Sequence, residues 1–407
     1  MSEARSPFIW FVLFVWFLWL NQTNEINETN HTNQMNQINE TNRAHSMIEI
    51  DGSQYSGSGT IVRQAVMFSA LTGQAVHIMK ARLRRAKPGL RPQHIRVVEA
   101  IRELVNGEAG GLVQGSQEVV FRPGTIGTGR RYGWDIGSAG STTMLALAVL
   151  PVLAFAAAPV VVELRGGLFQ DFAPSVFHLQ HVMLPLLQRM GLEVRVSIER
   201  PGYVPRGEGI LHLTVTPAGR PLRSLAQERA GAVTRLWGIA LSSRLDARRV
   251  SERMADAARQ TLERRGYDAE IEIRNDTTAL QPGAALALFA DLGDEARLGA
   301  DRAGALRRTA ESIGRHAARQ LLEDVETGAT LDRFAADQII PFAALAGGES
   351  RFLIPADTEH VQTNAWLART FLDAGVVLRD RLLVITGIGL KKPVPAPSPG
   401  RGKQVPS

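Results

Sequence analysis

Between Met47 and about Leu390, short β-branched runs alternate with stretches whose apolar residues recur at helical spacing. That alternation admits an α/β chain (α+β in its insert) built in layers. MIEIDG reads as a strand, IVRQAVMFSALTG as a helix stopped by Gly73, and AVHIMKARL as a strand. HIRVVEAIRELVNG follows as a helix and QEVVFRP as a strand closed by Pro123. A comparable cycle runs through TTMLALAVLPVLAFAAA, VVVELRGG, VFHLQHVMLPLLQRMG and LEVRVSIERPG. The texture changes over 221–303, where a basic helix, Leu245–Gly266, precedes the strands AEIEIRN and ALALFAD; this predicts a small inserted α/β domain. The earlier pattern resumes at 304, so 47–220 and 304–390 are expected to form one large interrupted domain.

The two ends have a different character. Residues 8–20 are thirteen consecutive apolar side chains, fewer than the roughly 20 a spanning helix needs. They lack the flanks of a signal peptide. The repeat N-x-[T/I/M] over Asn21–Asn42 contains four N-x-T sequons and nothing that buries a core. Either 1–46 tethers or exports the protein, or the start is set upstream of a natural beginning at Met47. The strand opening at Met47 favours the second, leaving 1–46 as a non-native or disordered extension. Residues 391–407, with five prolines, are expected to be a disordered basic tail.

Composition removes several chemistries. With no cysteine there is no disulfide framework, zinc ribbon, iron–sulfur cluster or thiol nucleophile. The net charge of +6 becomes +8 once 1–46, with four glutamates and two arginines, is set aside. The excess is concentrated in KARLRRAKPGLRPQHIR, Lys80–Arg96, which holds seven lysines and arginines and no acid. A solvated face accounts for many such runs. Here Pro88, Gly89 and Pro92 shape a loop, and Gln93 and His94 add planar hydrogen-bonding groups suited to gripping phosphates.

Two small-residue segments lie between strands and helices, DGSQYSGSG (Asp51–Gly59) and IGSAGS (Ile136–Ser141). Each can present backbone N–H groups to an anion, and close packing against a sheet explains each equally well. Neither is a P-loop or a GxGxxG fingerprint. Among the histidines, His360 stands apart. It occupies the polar segment ADTEHVQTN between the strand RFLIP and the helix AWLARTFL, a place where catalytic groups sit and where a neutral imidazole can attack phosphorus.

Together these segments resemble the RNA 3′-terminal phosphate cyclase family. The matching stretches are Asp51–Arg63, Arg82–His94, Phe121–Gly124, Ile136–Ser141, Gly202–Gly209, Phe334–Gln338 and Glu359–Asn364, in the family's order across 47–390. The resemblance implies three repeated βαβαββ-type units, as in the EPSP synthases, with a small inserted α/β domain. It implies an ATP-dependent ligase that converts an RNA 3′-phosphate to a 2′,3′-cyclic phosphate, with ATP and a divalent metal (Mg or Mn) as cofactors. His360 matches the nucleophile that carries AMP. Phe334, Ala335, Ala336, Asp337 and Gln338 match the segment lining the nucleotide, and Arg63, Arg82, Arg85, Gln93 and His94 match residues around the phosphates and the RNA end. The implied partner is RNA with a 3′-phosphate; no stable protein partner or membrane is implied, and the expected location is cytoplasmic.

Three positions depart from the family pattern. Ser56 stands where a glutamate near metal and ATP is usual, which leaves the metal ligands undefined. Leu147 replaces a glutamine on the adenine side and cannot supply an amide's hydrogen bonds. The GGT-type turn reads Gly166-Gly167-Leu168. The rival reading is a catalytically impaired, RNA-binding cyclase-like protein, against which His360 argues. An enolpyruvyl transferase on the same repeat is a third, disfavoured by the cyclase motifs.

Overall fold

The computed structural model describes residues 47–293 and 295–391; the apolar run, the asparagine repeat and all of the tail after Lys391 lie outside the described residues. The chain begins with β1 (Ile48–Asp51), α1 (Gly59–Thr72), β2 (Val76–Met79), α2 (Pro92–Leu104), β3 (Glu108–Gly110) and β4 (Val119–Arg122). Their sheet runs β1-β2-β4-β3, parallel at the first pair and antiparallel at the others. The same pairing scheme recurs in β5 (Arg131–Asp135), α3 (Thr142–Leu153) and β6 (Val160–Gly166). A helical segment then passes through a π turn at Leu179–Met183 into α4 (Leu184–Met190), before β7 (Glu193–Arg200) and β8 (Gly209–Thr216). That sheet runs β5-β6-β8-β7, again with its first pair parallel.

A long excursion follows β9 (Ala226–Gln227). It comprises β10 (Val233–Ser243), α5 (Val250–Glu263), β11 (Glu270–Asp276), β12 (Gly283–Leu292), β13 (Ala296–Ala303) and α6 (Ala310–Glu326). Its sheet runs β11-β10-β12-β13. The chain returns through α7 (Ala335–Gln338), α8 (Ile340–Leu345), β14 (Gly347–Leu353), α9 (Glu359–Leu372), β15 (Gly375–Arg379) and β16 (Leu382–Ile388), forming a sheet β15-β16-β14-β9. The protein is thus a mixed α/β chain. Among the described residues no helix is long and apolar enough to cross a membrane.

Two apolar clusters organise these layers. The larger includes Phe68, Leu147, Phe177, Phe342 and Phe352; the smaller unites Met254, Leu286, Leu298, Ile313 and Leu321. Helix α1 is buried from Gly59 to Leu71, so it carries no polar face and even Arg63 and Gln64 are enclosed. Ser58 caps its N-terminus by accepting from Thr60 N–H, and Gly73 ends it in a left-handed turn at φ 72°.

Some boundaries differ from the sequence-based expectation for physical reasons. The strand read through Leu83 stops at Met79 because Lys80 and Arg82 adopt left-handed φ of 52° and 57°, and the basic run leaves the sheet as a loop. The basic helix expected from Leu245 begins at Val250, after a 3-10 turn and a left-handed Arg249. The smaller core also extends past 303, since α6 buries Ile313, Ala317 and Leu321 in it, whereas β9 pairs with β14.

Candidate functional site

The glycine-rich turn after β1 packs flush on the basic loop. A Cβ at Gly59 would lie 2.1 Å from His94 Nε2, so only glycine lets the start of α1 approach this ring. His94 sits in the first turn of α2, its Nδ1 accepting from Arg91 N–H at 3.0 Å. Burial, with Arg63, Arg82 and Arg91 nearby, holds its basicity well below the ordinary histidine range. Asp51 accepts from Lys80 Nζ at 2.8 Å and from Ser53, and these bonds hold its carboxyl down at about 2.

His360 occupies the first turn of α9, behind the capping residue Thr358, with its side chain 43% exposed. Its Nδ1 lies 3.1 Å from Thr60 Oγ1, which also accepts from Arg63 Nη2 at 3.1 Å. Asp337 Oδ2 is 4.0 Å from the same Nδ1. Burial, then Arg63 and Arg85, lower the His360 pKa to about 4, so the ring is neutral at physiological pH. Burial pushes the Asp337 carboxyl up to about 7, although Gln338 and Arg63 pull it down. The Arg63 guanidinium is itself lowered to about 10 by burial, with Asp337 opposing.

Helix α9 is tied to the glycine-rich turn. Ser56 N–H donates to Thr363 Oγ1 at 3.2 Å, and Ser56 Oγ lies 2.9 Å from Thr363 Oγ1 and 3.0 Å from Ser58 Oγ. Arg84 pairs with Glu359 at 3.0 Å and donates to Tyr55 O, whose ring leans on Trp366. Asn364 Nδ2 donates to Asp337 O at 2.8 Å, joining α9 to α7.

The segment Phe334–Gln338 is built around Asp332, which accepts from the N–H groups of Phe334 and Ala335 at 2.8 and 2.9 Å. Ala335, Ala336, Asp337 and Gln338 are buried. Gln93 Oε1 accepts from Ser141 N–H at 3.3 Å, linking the basic loop to the second small-residue segment.

The expected residues are therefore not all placed alike. Arg63 acts on both His360 and Asp337, Arg85 acts on His360, and His94 feels Arg63 and Arg82. Arg82 Nη1 donates to the carbonyls of Lys87 and Gly89 and stabilises its own loop. Leu147 packs in the larger apolar core. Thr60, Thr363 and Asn364 were not singled out from sequence; Thr60 and Thr363 lie inside the matched motifs, and Asn364 ends one. Among the described residues no three acidic or histidine side chains gather to hold a metal ion. Ser56 has no carboxylate, and its hydroxyl is already engaged, so the donor set does not fit a metal held by the protein.

This arrangement is a neutral, partly exposed imidazole beside two arginines and a proton-holding carboxyl, an equipment for phosphoryl or nucleotidyl chemistry. The sequence pattern described as RNA 3′-terminal phosphate cyclase matches residues 54–378. A protein of Methanopyrus kandleri with that name is 40% identical over 341 residues, 83% of this chain and 96% of the relative. Proteins of the same name from Thermococcus kodakarensis and Hyperthermus butylicus are 38% and 39% identical, covering 80% and 78% of this chain and 92% and 89% of their own lengths. The chain belongs to the RNA 3′-terminal phosphate cyclase family.

Proposed function

We propose that the protein converts an RNA 3′-terminal phosphate to a 2′,3′-cyclic phosphate at the expense of ATP, through AMP carried on His360. The observation that carries this reading is the neutral His360 ring with Nδ1 held by Thr60 at 3.1 Å. With Nδ1–H donating to Thr60 Oγ1, the Nε2 lone pair is free to attack.

Three displacements complete the reaction. Nε2 of His360 bonds to the α-phosphorus of ATP as the bond to the β-phosphate oxygen breaks, releasing pyrophosphate. The imidazole is then cationic, with Asp337 4.0 Å from its Nδ1. An oxygen of the RNA 3′-phosphate next attacks the AMP phosphorus, the N–P bond breaks and His360 is regenerated. Finally the ribose 2′-OH attacks the terminal RNA phosphorus, its proton passes to solvent, and the anhydride P–O bond breaks to release AMP. Arg63 and Arg85 offset charge on the nucleotide, Phe334–Gln338 line it, and Arg82, Gln93 and His94 border the RNA end. A divalent ion would enter as a companion of the ATP phosphates; no step here is routed through it. The recurring sheet scheme supports an architecture of three βαβαββ-type units. The RNA substrate supports a cytoplasmic setting.

The missing carboxylate at Ser56 favours one alternative, a catalytically impaired RNA-binding protein. Incubation with α-labelled ATP and Mg2+ or Mn2+, followed by a denaturing gel, separates the two. Label retained by the wild type and absent from His360→Ala is expected. An unlabelled wild type that still binds RNA would establish the alternative.

A further inference from the structure

A cleft of about 420 Å3 lies along α6, lined by none of the residues assigned above, and five arginines line it: Arg302, Arg308, Arg315, Arg319 and Arg333. A second hollow of about 320 Å3 shares Arg315 and Arg319 and adds Arg264 and Arg265. The cationic wall is only partly neutralised. Arg302 and Arg308 both lean on Asp171, at 3.3 and 2.8 Å, and Arg333 pairs with Asp324 and Glu323. Among the described residues no carboxylate pairs with Arg315 or Arg319, one helical turn apart on an exposed face.

Two further observations point to a ligand. Gln320 lines the cleft, is nine-tenths buried, and its Nε2 has no hydrogen-bond partner; nor has Arg302 Nε. These are enclosed donors without an acceptor in residues that line the cleft. Two bare apolar side chains are close in the chain to residues of this cleft or to their ion-pair partner. Phe172 is 97% exposed and directly follows Asp171, while Leu306 is 94% exposed and lies two residues before Arg308. Single-stranded nucleic acid is held by phosphates on arginines and bases on exposed aromatic rings, and Phe172 is such a ring next in sequence to the Asp171 that pairs with Arg302 and Arg308. An acidic peptide would account for the arginines and leave Phe172 unexplained. Burial, together with Arg302 and Arg308, lowers the His316 pKa, so this ring adds hydrogen bonding rather than charge.

We propose that this cleft binds the phosphodiester backbone of the RNA upstream of its reacting end, with Phe172 as the platform for one base. The inference rests on the reading of RNA as substrate. The cleft is continuous in chain with the site, since Arg333 immediately precedes Phe334–Gln338.

The test compares RNA of about 20 nucleotides with a 3′-phosphorylated trinucleotide. For the longer RNA, the dissociation constant by fluorescence anisotropy is expected to rise roughly tenfold in the double variant Arg315→Gln/Arg319→Gln, and similarly in Phe172→Ala. The log–log salt slope of the double variant should shrink by about 1.4, two phosphates at roughly 0.7 each. Arg315→Lys/Arg319→Lys should keep the wild-type slope. Cyclisation of the trinucleotide should stay within about twofold of wild type, because the proposal gives the cleft only nucleotides upstream of the reacting end. Unchanged affinity for the longer RNA, or equal losses on both lengths, would overturn the proposal. Wild-type protein that cyclises neither length would instead defeat the proposed function, while anisotropy with a 3′-hydroxyl RNA still reads the cleft independently. Displacement by an acidic peptide at lower concentration than RNA would assign the cleft to a protein and overturn the proposal too.

Discussion

Thr60 Oγ1 stands 3.1 Å from His360 Nδ1, across 300 residues of sequence, while accepting a hydrogen bond from the buried Arg63. The contact joins the start of α1 to the start of α9 and sets which imidazole nitrogen faces outward. Arg63 thereby acts on His360 twice, through its charge and through the hydroxyl it orients.

Thr60→Val removes that hydroxyl at nearly constant volume. Single-turnover adenylation is expected to slow by about 10–100-fold, as a ring loses its orientation. Thr60→Ser should recover most of the rate, since the oxygen is restored. Equal rates for the valine and serine variants would show that the contact does not position His360.

The acid limb of adenylation should follow His360. Burial, Arg63 and Arg85 all disfavour the imidazolium, and only the neutral ring has a lone pair to attack with. Arg85→Gln removes one of these cations from an exposed position, so the pKa rises toward the usual 6.5. The rate should therefore begin to fall at a higher pH than in wild type. A pH–rate profile of the labelled adduct measures this, and a limb moving to lower pH would contradict the electrostatic assignment.

How much of this was legible in the sequence depends on distance along the chain. Gly73 marked the end of α1 correctly because a left-handed terminus is a local requirement. His360 stood out because its surroundings between strand and helix are polar within a few residues. Strand β10 was not read, for its centre carries Gly238, Ala240 and Ser242, small residues of low strand preference that are selected by neighbours on both sides, β11 and β12. Arg82 stands out for phosphate by composition, and the two bonds from its Nη1 to carbonyls of its own loop follow only from the fold. Thr60 as the partner of His360, and Thr363 as the partner of Ser56, follow only from tertiary packing.

Ser56 illustrates what a restored carboxylate would meet. The residue is buried and bonded to Thr363 through both its backbone and its hydroxyl. Ser56→Glu is expected to lower stability by about 1–3 kcal/mol, as that link is broken and a charge is enclosed. At this size each kcal/mol corresponds to roughly 1–2 °C in melting temperature. The same variant should raise metal-dependent adenylation when Mg2+ or Mn2+ is titrated. A lower melting temperature with no gain at any metal concentration would remove this position from metal binding.

The strongest structural dependence falls on Asp332, which is fully buried and accepts from Gly299, Phe334 and Ala335 N–H groups while facing His178 Nε2 at 2.9 Å. Burial opposes charge on both members, yet each holds the other ionised. The His178 pKa is raised and the Asp332 pKa lowered against desolvation. The raised His178 pKa contributes stability below the unfolded value near 6.5, lost as pH climbs through the folded value. The lowered Asp332 pKa contributes above about 3.8, lost in acid. Asp332→Ala breaks the pair and strands three N–H groups, which should cost about 3–5 kcal/mol. Asp332→Asn keeps the shape and loses the charge, so its deficit should be larger below the raised His178 pKa, where the ring is cationic, than above it, where the ring is neutral. Denaturant melts on both sides of that pKa measure this. A deficit that is equal at both, or that grows with pH, would mean that the charge on His178 does not stabilise the junction preceding Phe334–Gln338.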